Sequence, residues 1–445
     1  MTEAGPSDAP RQHGLAVVVE EWFQGQALAA AVRRAHWPRL ESRVEATVDA
    51  WLALLEHSAT KATFFVDAFV AERRPALVAR IAASGHELRG DRVEDALTAR
   101  QAVRLVYGEE LRRAADGEDA LDDLARASKP CAFVFSAWEL DATQPRITGA
   151  SRRDQQRHYA GIDRVAGLVR HMLARFWPTS LEAAFGLQAA PLVVAVATGA
   201  TAVTVAATMT QRVAVVVPMF DEAANVDYLL RSLDELAARG RDRYAFEFVL
   251  VDDRSRDATW ELLQRACRDR SDVKLVRHER NRGVAAAILS GIEAATCDVV
   301  ASIDCDGSYD PLDLLAMVPL LDSAAMVTAS PYHPQGGVRN VPAWRLLLSK
   351  TLSRIYRIVL RSELHTFTSC CRVHRRDAMV GMRLLHEGFL GMAEMLVRVL
   401  RCGGVVHEYP TTLSSRLLGY SKMKTLRTIR GHVGLLVAVM VGRVR

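Results

Sequence analysis

The chain has 445 residues, 50% of them hydrophobic and 24% charged, with 27 glycines and 15 prolines. This balance excludes a disordered or collagenous chain, and the length exceeds the ~250 to 300 residues at which one core stops growing, so two domains are expected. A formal net charge of +5 is too small for this length to point to nucleic acid, although Arg416, Lys422, Lys424, Arg427, Arg430, Arg443 and Arg445 all follow the last acidic residue, Glu408. Seven cysteines form no CxxC pair, and Cys370 and Cys371 are adjacent and cannot easily bridge each other, so reduced thiols are expected. Residues 1–14 are polar, lack the apolar stretch of a signal peptide and are read as a disordered start.

From residue 15 the short apolar runs LAVVV, KATFFV and CAFVF alternate with helix-like stretches, which predicts an α/β domain over residues 15–181. LAVVVEEWFQ, then KATFFV with GHEL, then SAWELDATQPRI with RHY, resemble the NodB-type polysaccharide deacetylases. The resemblance implies a (β/α) barrel in which one aspartate and two histidines hold a zinc-type metal, with an aspartate base and a histidine acid. Here the base falls on Val18, the metal aspartate on Glu21, the metal histidines on Asp91 and Asp95, and the acid on Ser136. Carboxylates in place of imidazoles favour Mg2+ or Ca2+, and Val18 cannot activate water. GEELRRAADGEDALDDLARASKP also replaces a longer stretch that carries several strands in such enzymes. A truncated, catalytically inactive barrel with a structural, docking or acceptor-binding role is therefore expected, with His86 packed structurally. The alternative is residual deacetylation by a metal held among Glu20, Glu21, Asp91 and Asp95.

Residues 182–210 read as an apolar linker. The run AAFGLQAAPLVVAVATGATAVTVAATM approaches the ~20 residues of a membrane span, but Pro191, Gly199 and its threonines dilute it, so a packed inter-domain segment is expected.

A second α/β domain is predicted over residues 211–445. RVAVVVP, an amphipathic stretch over 226–238, FEFVLVDD, ATWELLQRACRD, VKLVRH and DVVASIDCD alternate strand with helix, and their unbroken apolar runs predict a parallel sheet covered on both faces. Ligands bind at the carboxyl ends of such strands, where Pro218, Asp252, Asp253, Asp304 and Asp306 fall. Asp304 and Asp306 flank Cys305, and two hard oxygen ligands at that spacing can hold Mg2+ or Mn2+ against a diphosphate. Asp-Gly-Ser is also a turn signature. Asp221 could cap the following helix, but capping does not explain two aspartates closing a strand.

VVVPMFDEAANV, VLVDDRSRDAT, NRGVAAAILSGIEAA and SIDCDGSYDP, in this order and spacing, resemble the family 2 glycosyltransferases, and within them the polyprenyl-phosphate sugar synthases of the dolichol-phosphate mannose synthase kind. The likeness implies a GT-A fold, a Rossmann-like, mixed but mostly parallel sheet with helices on both faces, and transfer of one sugar from a nucleotide-sugar donor with inversion. It places Pro218, Asp221 and Glu222 in the first nucleotide loop, Asp253 on the base with Asp252 beside it, and Asp304 and Asp306 on donor and metal. Many relatives carry Asn where Asp221 stands. Thr368, Ser369 and Arg372 of TSCCR align with a segment facing donor phosphate and acceptor, and relatives often carry Gly and an aromatic where Cys370 and Cys371 sit. Glu394 of GMAEML is the candidate general base or acceptor ligand, a helix-surface glutamate being the alternative. Arg416, Ser421 and Lys422 match RxxGxSK, whose basic groups bind phosphates. A phosphate acceptor is already an anion and needs positioning more than deprotonation. The missing QxxRW argues against polymerisation.

The resemblance thus implies a polyprenyl phosphate as acceptor, with a soluble glycan or natural-product hydroxyl as the alternative. The tail SKMKTLRTIRGHVGLLVAVMVGRVR interleaves cations with Leu, Ile and Val, as in a helix lying on anionic lipid, although a solvated basic face reads the same way. A cytoplasmic protein, peripheral on the inner face of the plasma membrane, is the expectation. By analogy, the fusion points to a bacterial amino-sugar or N-acetylated glycan pathway.

Overall fold

A computed structural model describes residues 13–97, 103–114, 117–126, 129–187, 211–341, 343–419 and 425–441. They form two compact units: the first takes most of residues 13–187, and the second takes residues 211–441 together with Pro38–Leu40 and Ile147–Ala150.

In the first unit five parallel strands, β1 (Gly14–Val19), β2 (Thr63–Val66), β3 (Glu87–Arg89), β4 (Arg104–Tyr107) and β5 (Cys131–Ser136), lie in the order β3-β2-β1-β5-β4. The apolar run of β1 is explained by burial on both faces. Leu15, Val17 and Val19 enter a core with Trp51, Phe64 and Phe133, while Ala16 points the other way, toward Phe65 and Val134. The sheet is open. Among the described residues no strand continues past β3 or β4, so the expected truncated barrel is an open sheet. Between β4 and β5 the chain spends its length on the short helices Gly108–Arg113 and Gly117–Arg126 and has no room for closing strands. The unit also runs past residue 181: the helix Leu181–Phe185 packs Leu181 into the core, and Leu187 joins it. The rest of the expected linker, 188–210, lies outside the described residues. His86 packs on Phe64 at 5.1 Å, as a structural histidine should. Among the described residues no helix is long and apolar enough to cross a membrane.

The second unit contains β6 (Gln211–Met219), β7 (Tyr244–Asp252), β8 (Val273–Arg277), β9 (Val299–Ser302), β10 (Met326–Ser330), β11 (Gly337–Arg339), β12 (Arg372–Arg375), β13 (Val406–Pro410) and β14 (Thr412–Ser414). Seven of them form a sheet ordered β13-β10-β12-β9-β6-β7-β8, in which β12 alone runs antiparallel to its neighbours; β11 and β14 pair separately. Val213, Val215 and Val217 of β6 meet Leu229, Leu233 and Leu236 of the helix Val226–Gly240. Ala214 and Val216 face the helix Val284–Ala294, which comes down on the sheet at Gly291, where a Cβ would fall 2.2 Å from Val216 Cγ1. In the closing helix Thr425–Met440, Leu435, Leu436 and Val439 enter the same core as Met392 and Leu396. Among the described side chains of this tail, Leu435, Leu436 and Val439 are thus taken up by the core, while Val437, Met440 and Val441 are exposed.

Candidate active site

Strand β9 delivers the next residues, Ile303 to Asp306, to the carboxyl edge of the sheet. Because β12 pairs antiparallel with β9 from Arg372↔Ser302, the TSCC segment before it runs alongside, and the Cys370 thiol donates to Asp304. Asp306 Oδ1 accepts the Ser308 amide at 3.0 Å, and its Oδ2 accepts Arg416 Nε at 3.2 Å and Nη2 at 3.0 Å. The same Nη2 donates to Glu222 Oε1 at 3.1 Å, and Asn225 Nδ2 holds Glu222 Oε2 at 2.6 Å. Two carboxylates, Asp306 and Glu222, thus meet at one guanidinium, and the charge of that guanidinium also reaches Asp304. Burial first, then the charge of Asp306, push the Asp304 carboxyl up to about 7, against the Cys370 hydrogen bond and Arg416. Burial pulls the Arg416 pKa down, but Asp306 and Glu222 outweigh it and hold the group above the ordinary arginine value. A pocket that stabilises a cation in this way fits Mg2+ or Mn2+. Among the described residues no three His, Cys, Asp or Glu side chains are arranged to enclose a metal, so Asp304 and Asp306 would hold an ion from one side and leave its other positions to phosphate oxygens and water.

The neighbouring loops are set by strand-end geometry. Past β6, Asp221 sits at φ 52°, a left-handed conformation that Asp and Asn tolerate best after glycine. Its carboxylate accepts Arg256 N at 2.6 Å and Arg256 Nη2 at 2.7 Å, and its own amide donates to Ser255 Oγ at 2.8 Å. Asp252, fully buried, accepts the Ser255 amide at 3.0 Å and has Arg277 Nε 3.0 Å from Oδ2. Asp253 accepts Arg282 N at 2.8 Å, Gly283 N at 2.6 Å and His278 Nδ1 at 2.7 Å. Gly283 has φ 104°, and a Cβ there would fall 2.7 Å from Gly388 Cα. Pro218 lies near the end of β6, alongside β7.

Other expected site residues are held elsewhere. Arg372 is fully buried and donates to Met392 O at 2.7 Å and Phe367 O at 2.9 Å, bracing two backbone segments; burial lowers its pKa to about 10. Ser369 Oγ closes a turn on Cys371 N at 3.2 Å and meets the Tyr309 hydroxyl. Glu394 is fully buried, not on the helix surface. It accepts Leu385 N at 2.8 Å, His386 N at 3.0 Å, His386 Nδ1 at 3.0 Å and Arg398 Nε at 2.9 Å. Donors thus engage both carboxylate oxygens, whose lone-pair sites number about four. The geometry gives Glu394 a loop-anchoring part in place of a base's. Ser421 and Lys422 lie outside the described residues. His278 was missed by sequence reading; its only signal is its place directly after β8, at the edge where the carboxylates stand.

In the first unit, a cleft of about 700 Å3 opens at the carboxyl ends of the strands, lined in part by Val18, Glu20, Asp67, Asp91, Ser136 and Trp138. The acidic set expected to replace a zinc site is not brought together there. Glu20 accepts Ser136 Oγ at 2.9 Å and Trp138 Nε1 at 3.0 Å, Glu21 binds Ser42 Oγ and the Arg43 amide, and Arg89 forks onto Asp91 at 2.9 and 2.6 Å.

Residues 214–380 match glycosyl transferase family 2, and residues 117–185 match a domain of unknown function, DUF3473. Polyprenol monophosphomannose synthase of Mycolicibacterium smegmatis is 31% identical over 225 residues, which covers 48% of this chain and 82% of that protein. Undecaprenyl-phosphate 4-deoxy-4-formamido-L-arabinose transferase of Pseudomonas paraeruginosa is 33% identical over 223 residues, 49% of this chain and 62% of the other. Dolichol-phosphate mannosyltransferase of Pyrococcus furiosus is 29% identical over 216 residues, 48% of this chain and 59% of its own. Among solved structures, glucosyl-3-phosphoglycerate synthase from Mycobacterium tuberculosis, in complex with Mn2+, UDP and glucosyl-3-phosphoglycerate, aligns with a TM-score of 0.41 at 18% identity over 52% of this chain and 80% of that one.

Proposed function

The chain belongs to glycosyltransferase family 2, and on that premise we propose that it moves one sugar, with inversion, from a nucleotide-sugar donor to a polyprenyl phosphate. The observation that carries this reading is the pair Asp306 and Glu222 gathered on Arg416, with Asp304 electrostatically coupled to Asp306, at the carboxyl edge of a mostly parallel sheet. Asp304 and Asp306 would hold Mg2+ or Mn2+ against the donor diphosphate, where the ion neutralises charge on the leaving nucleoside diphosphate. Asp253, oriented by His278 and two amides, would receive the base, with Asp252 beside it and Pro218, Asp221 and Glu222 shaping the loop. Arg416 offers a fork suited to phosphate, and Ser369, Ser421 and Lys422 are proposed to complete phosphate binding. An anionic acceptor is consistent with a Glu394 already saturated by donors, because it needs orientation and no base. Two of the relatives, at 31% and 33% identity, carry polyprenol or undecaprenyl phosphate in their names, which favours the lipid phosphate over a hydroxyl.

A lipid acceptor has to be met at a bilayer. The helix Ala343–Leu360 exposes Trp344 (52%), Leu347 (67%), Ile355 (42%) and Ile358 (75%) at helical spacing, so they form one stripe. Lys350, Arg354 and Arg357 are exposed on the same helix, and no acidic residue occurs from Ala343 to Arg361. Such a face suits peripheral docking on anionic lipid, on the inner side of the plasma membrane. The first unit is proposed to be a non-catalytic module.

Nucleotide release from UDP-, GDP- and dTDP-sugars, with Mn2+ or Mg2+ and with or without polyprenyl phosphate, tests the proposal. One donor should turn over only when the lipid phosphate is present, and Asp304→Ala with Asp306→Ala should be inactive. Equal turnover with a soluble glycan, or full activity of the double variant, would sink it.

A further inference from the structure

We propose that Arg416 competes with the divalent cation for Asp306, so that metal and donor each strengthen the other's binding at this site. The inference rests on the reading of Asp304 and Asp306 as the metal-holding pair. Asp306 Oδ1 is engaged by the Ser308 amide, and Oδ2 is the oxygen that Arg416 grips with two nitrogens, at 3.0 and 3.2 Å. A divalent ion would need to approach that carboxylate to about 2.0–2.6 Å, and two cations in that space repel each other across a half-buried, poorly screened pocket. The second hold on Arg416 is equally firm. Glu222, 8% exposed, is kept in place by the fully buried Asn225, and its other oxygen lies 3.1 Å from the guanidinium.

The backbone around Arg416 is fastened to the same loop: Leu417 N donates to Asp306 O at 3.2 Å, and Ser414 N to Ser308 O at 2.9 Å. The exchange is therefore a side-chain swing on an anchored segment, with no loop displacement. A diphosphate supplies what draws the side chain away, since two adjacent phosphoryl groups accept a bidentate guanidinium at least as well as two separate carboxylates do. Once Arg416 turns to the phosphates, Asp306 is released to the ion and Glu222 remains anchored by Asn225. By linkage, the ion then raises nucleotide affinity by the same factor as nucleotide raises ion affinity.

Mn2+ binding to the full chain, followed by the electron paramagnetic resonance signal of free Mn2+ and by calorimetry, tests this with UDP and GDP as probes. Wild type should bind Mn2+ about tenfold more tightly with the matching nucleotide than without, a coupling of ordinary size. Arg416→Gln should bind Mn2+ about tenfold more tightly than wild type in the absence of nucleotide, with most of the nucleotide-dependent gain lost. Arg416→Lys, which keeps the charge but not the fork, should fall between the two and decides the matter if the Gln variant does not fold. An Arg416→Gln protein that binds Mn2+ alone no better than wild type overturns the competition, provided Asp306→Asn still abolishes binding. If Asp306→Asn leaves Mn2+ binding intact, the metal-site reading itself has failed.

Discussion

Asp253 takes its orientation from donors outside its own strand, and His278, 25 residues away in sequence, is the side chain among them. His278 is in turn steadied by Ser290 Oγ at 2.9 Å. If Asp253 receives the base as proposed, a group that only orients it affects ground state and transition state alike. His278→Ala is therefore expected to raise the donor KM roughly tenfold and leave kcat within a few-fold, the signature of lost uniform binding. Steady-state kinetics decides it: an equal fall in kcat and kcat/KM would place His278 in the chemistry. Glu394 gives the converse case. Glu394→Gln removes one partner from a buried ionic network and should cost about 3 kcal/mol of stability, visible as a lower Tm. The protein that remains folded should keep kcat within tenfold, whereas a general base would lose far more. Asp304 adds a pH dependence. With its carboxyl pushed up to about 7, a proton must leave before an ion binds, so Mn2+ affinity should fall by up to about tenfold per pH unit below 7. Calorimetric titration between pH 8 and pH 6 measures it.

Helices carry the next level, because the sheet's strands are secured from both faces. The helix Val284–Ala294 reaches the sheet at Gly291, and any side chain there must displace Val216 or Val251. Gly291→Ala should cost about 1–3 kcal/mol by overpacking, read as a shift of the denaturant midpoint at constant m. On the helix Ala343–Leu360, replacing Lys350, Arg354 and Arg357 with Gln should cut binding to phosphatidylserine vesicles about 100-fold, at about 1 kcal/mol per charge; unchanged sedimentation would remove the membrane role of that face. Elements differ in how far the sequence exposes them. RVAVVVP and FEFVLVDD are strands buried on two faces, and an unbroken apolar run says so directly. The acidic end of FEFVLVDD was legible for the same reason, since a carboxylate that closes a buried strand is costly to desolvate unless a cation or hydrogen-bond donors meet it there. AWRLLLSKTLSRIYRIVL was not legible as a surface element, because it buries Tyr356 on one side and exposes Trp344 and Ile358 on another, and both sides are apolar. The tail is split: GHVGLLVAVM sends Leu435, Leu436 and Val439 into the core and leaves Val437 and Met440 exposed, and nothing in its sequence tells the two sets apart. The open sheet of the first unit escaped as well: KATFFV and GHEL identify strands, but closure depends on strands that the segment between β4 and β5 does not supply.

Across the whole molecule, each unit carries a deeply buried neutral histidine, and this gives both the same response to acid. His158 in the first unit is 1% exposed, stacks on Trp138 at 4.1 Å and meets Gln144 Oε1 at 2.8 Å. His374 in the second is fully buried on β12, with Ser302 Oγ 3.5 Å away. Burial first, then Arg112 for His158 and Arg372 for His374, lowers each to about 3. An unfolded histidine takes up its proton near pH 6.5. The folded value lies below it, so the unfolded chain binds more protons as pH falls from about 6.5 toward 3, and stability is lost through that window and complete above it. At pH 5 the loss should be about 2 kcal/mol per histidine, from about 1.4 kcal/mol per pH unit. Calorimetric melts at pH 7 and pH 5 should show Tm falling with acid in the intact chain. His158→Phe, which keeps a ring against Trp138, and His374→Leu should each reduce that fall, and the double variant should reduce it most. A double variant with the wild-type acid slope would show that other groups, such as the paired carboxylates, set the response.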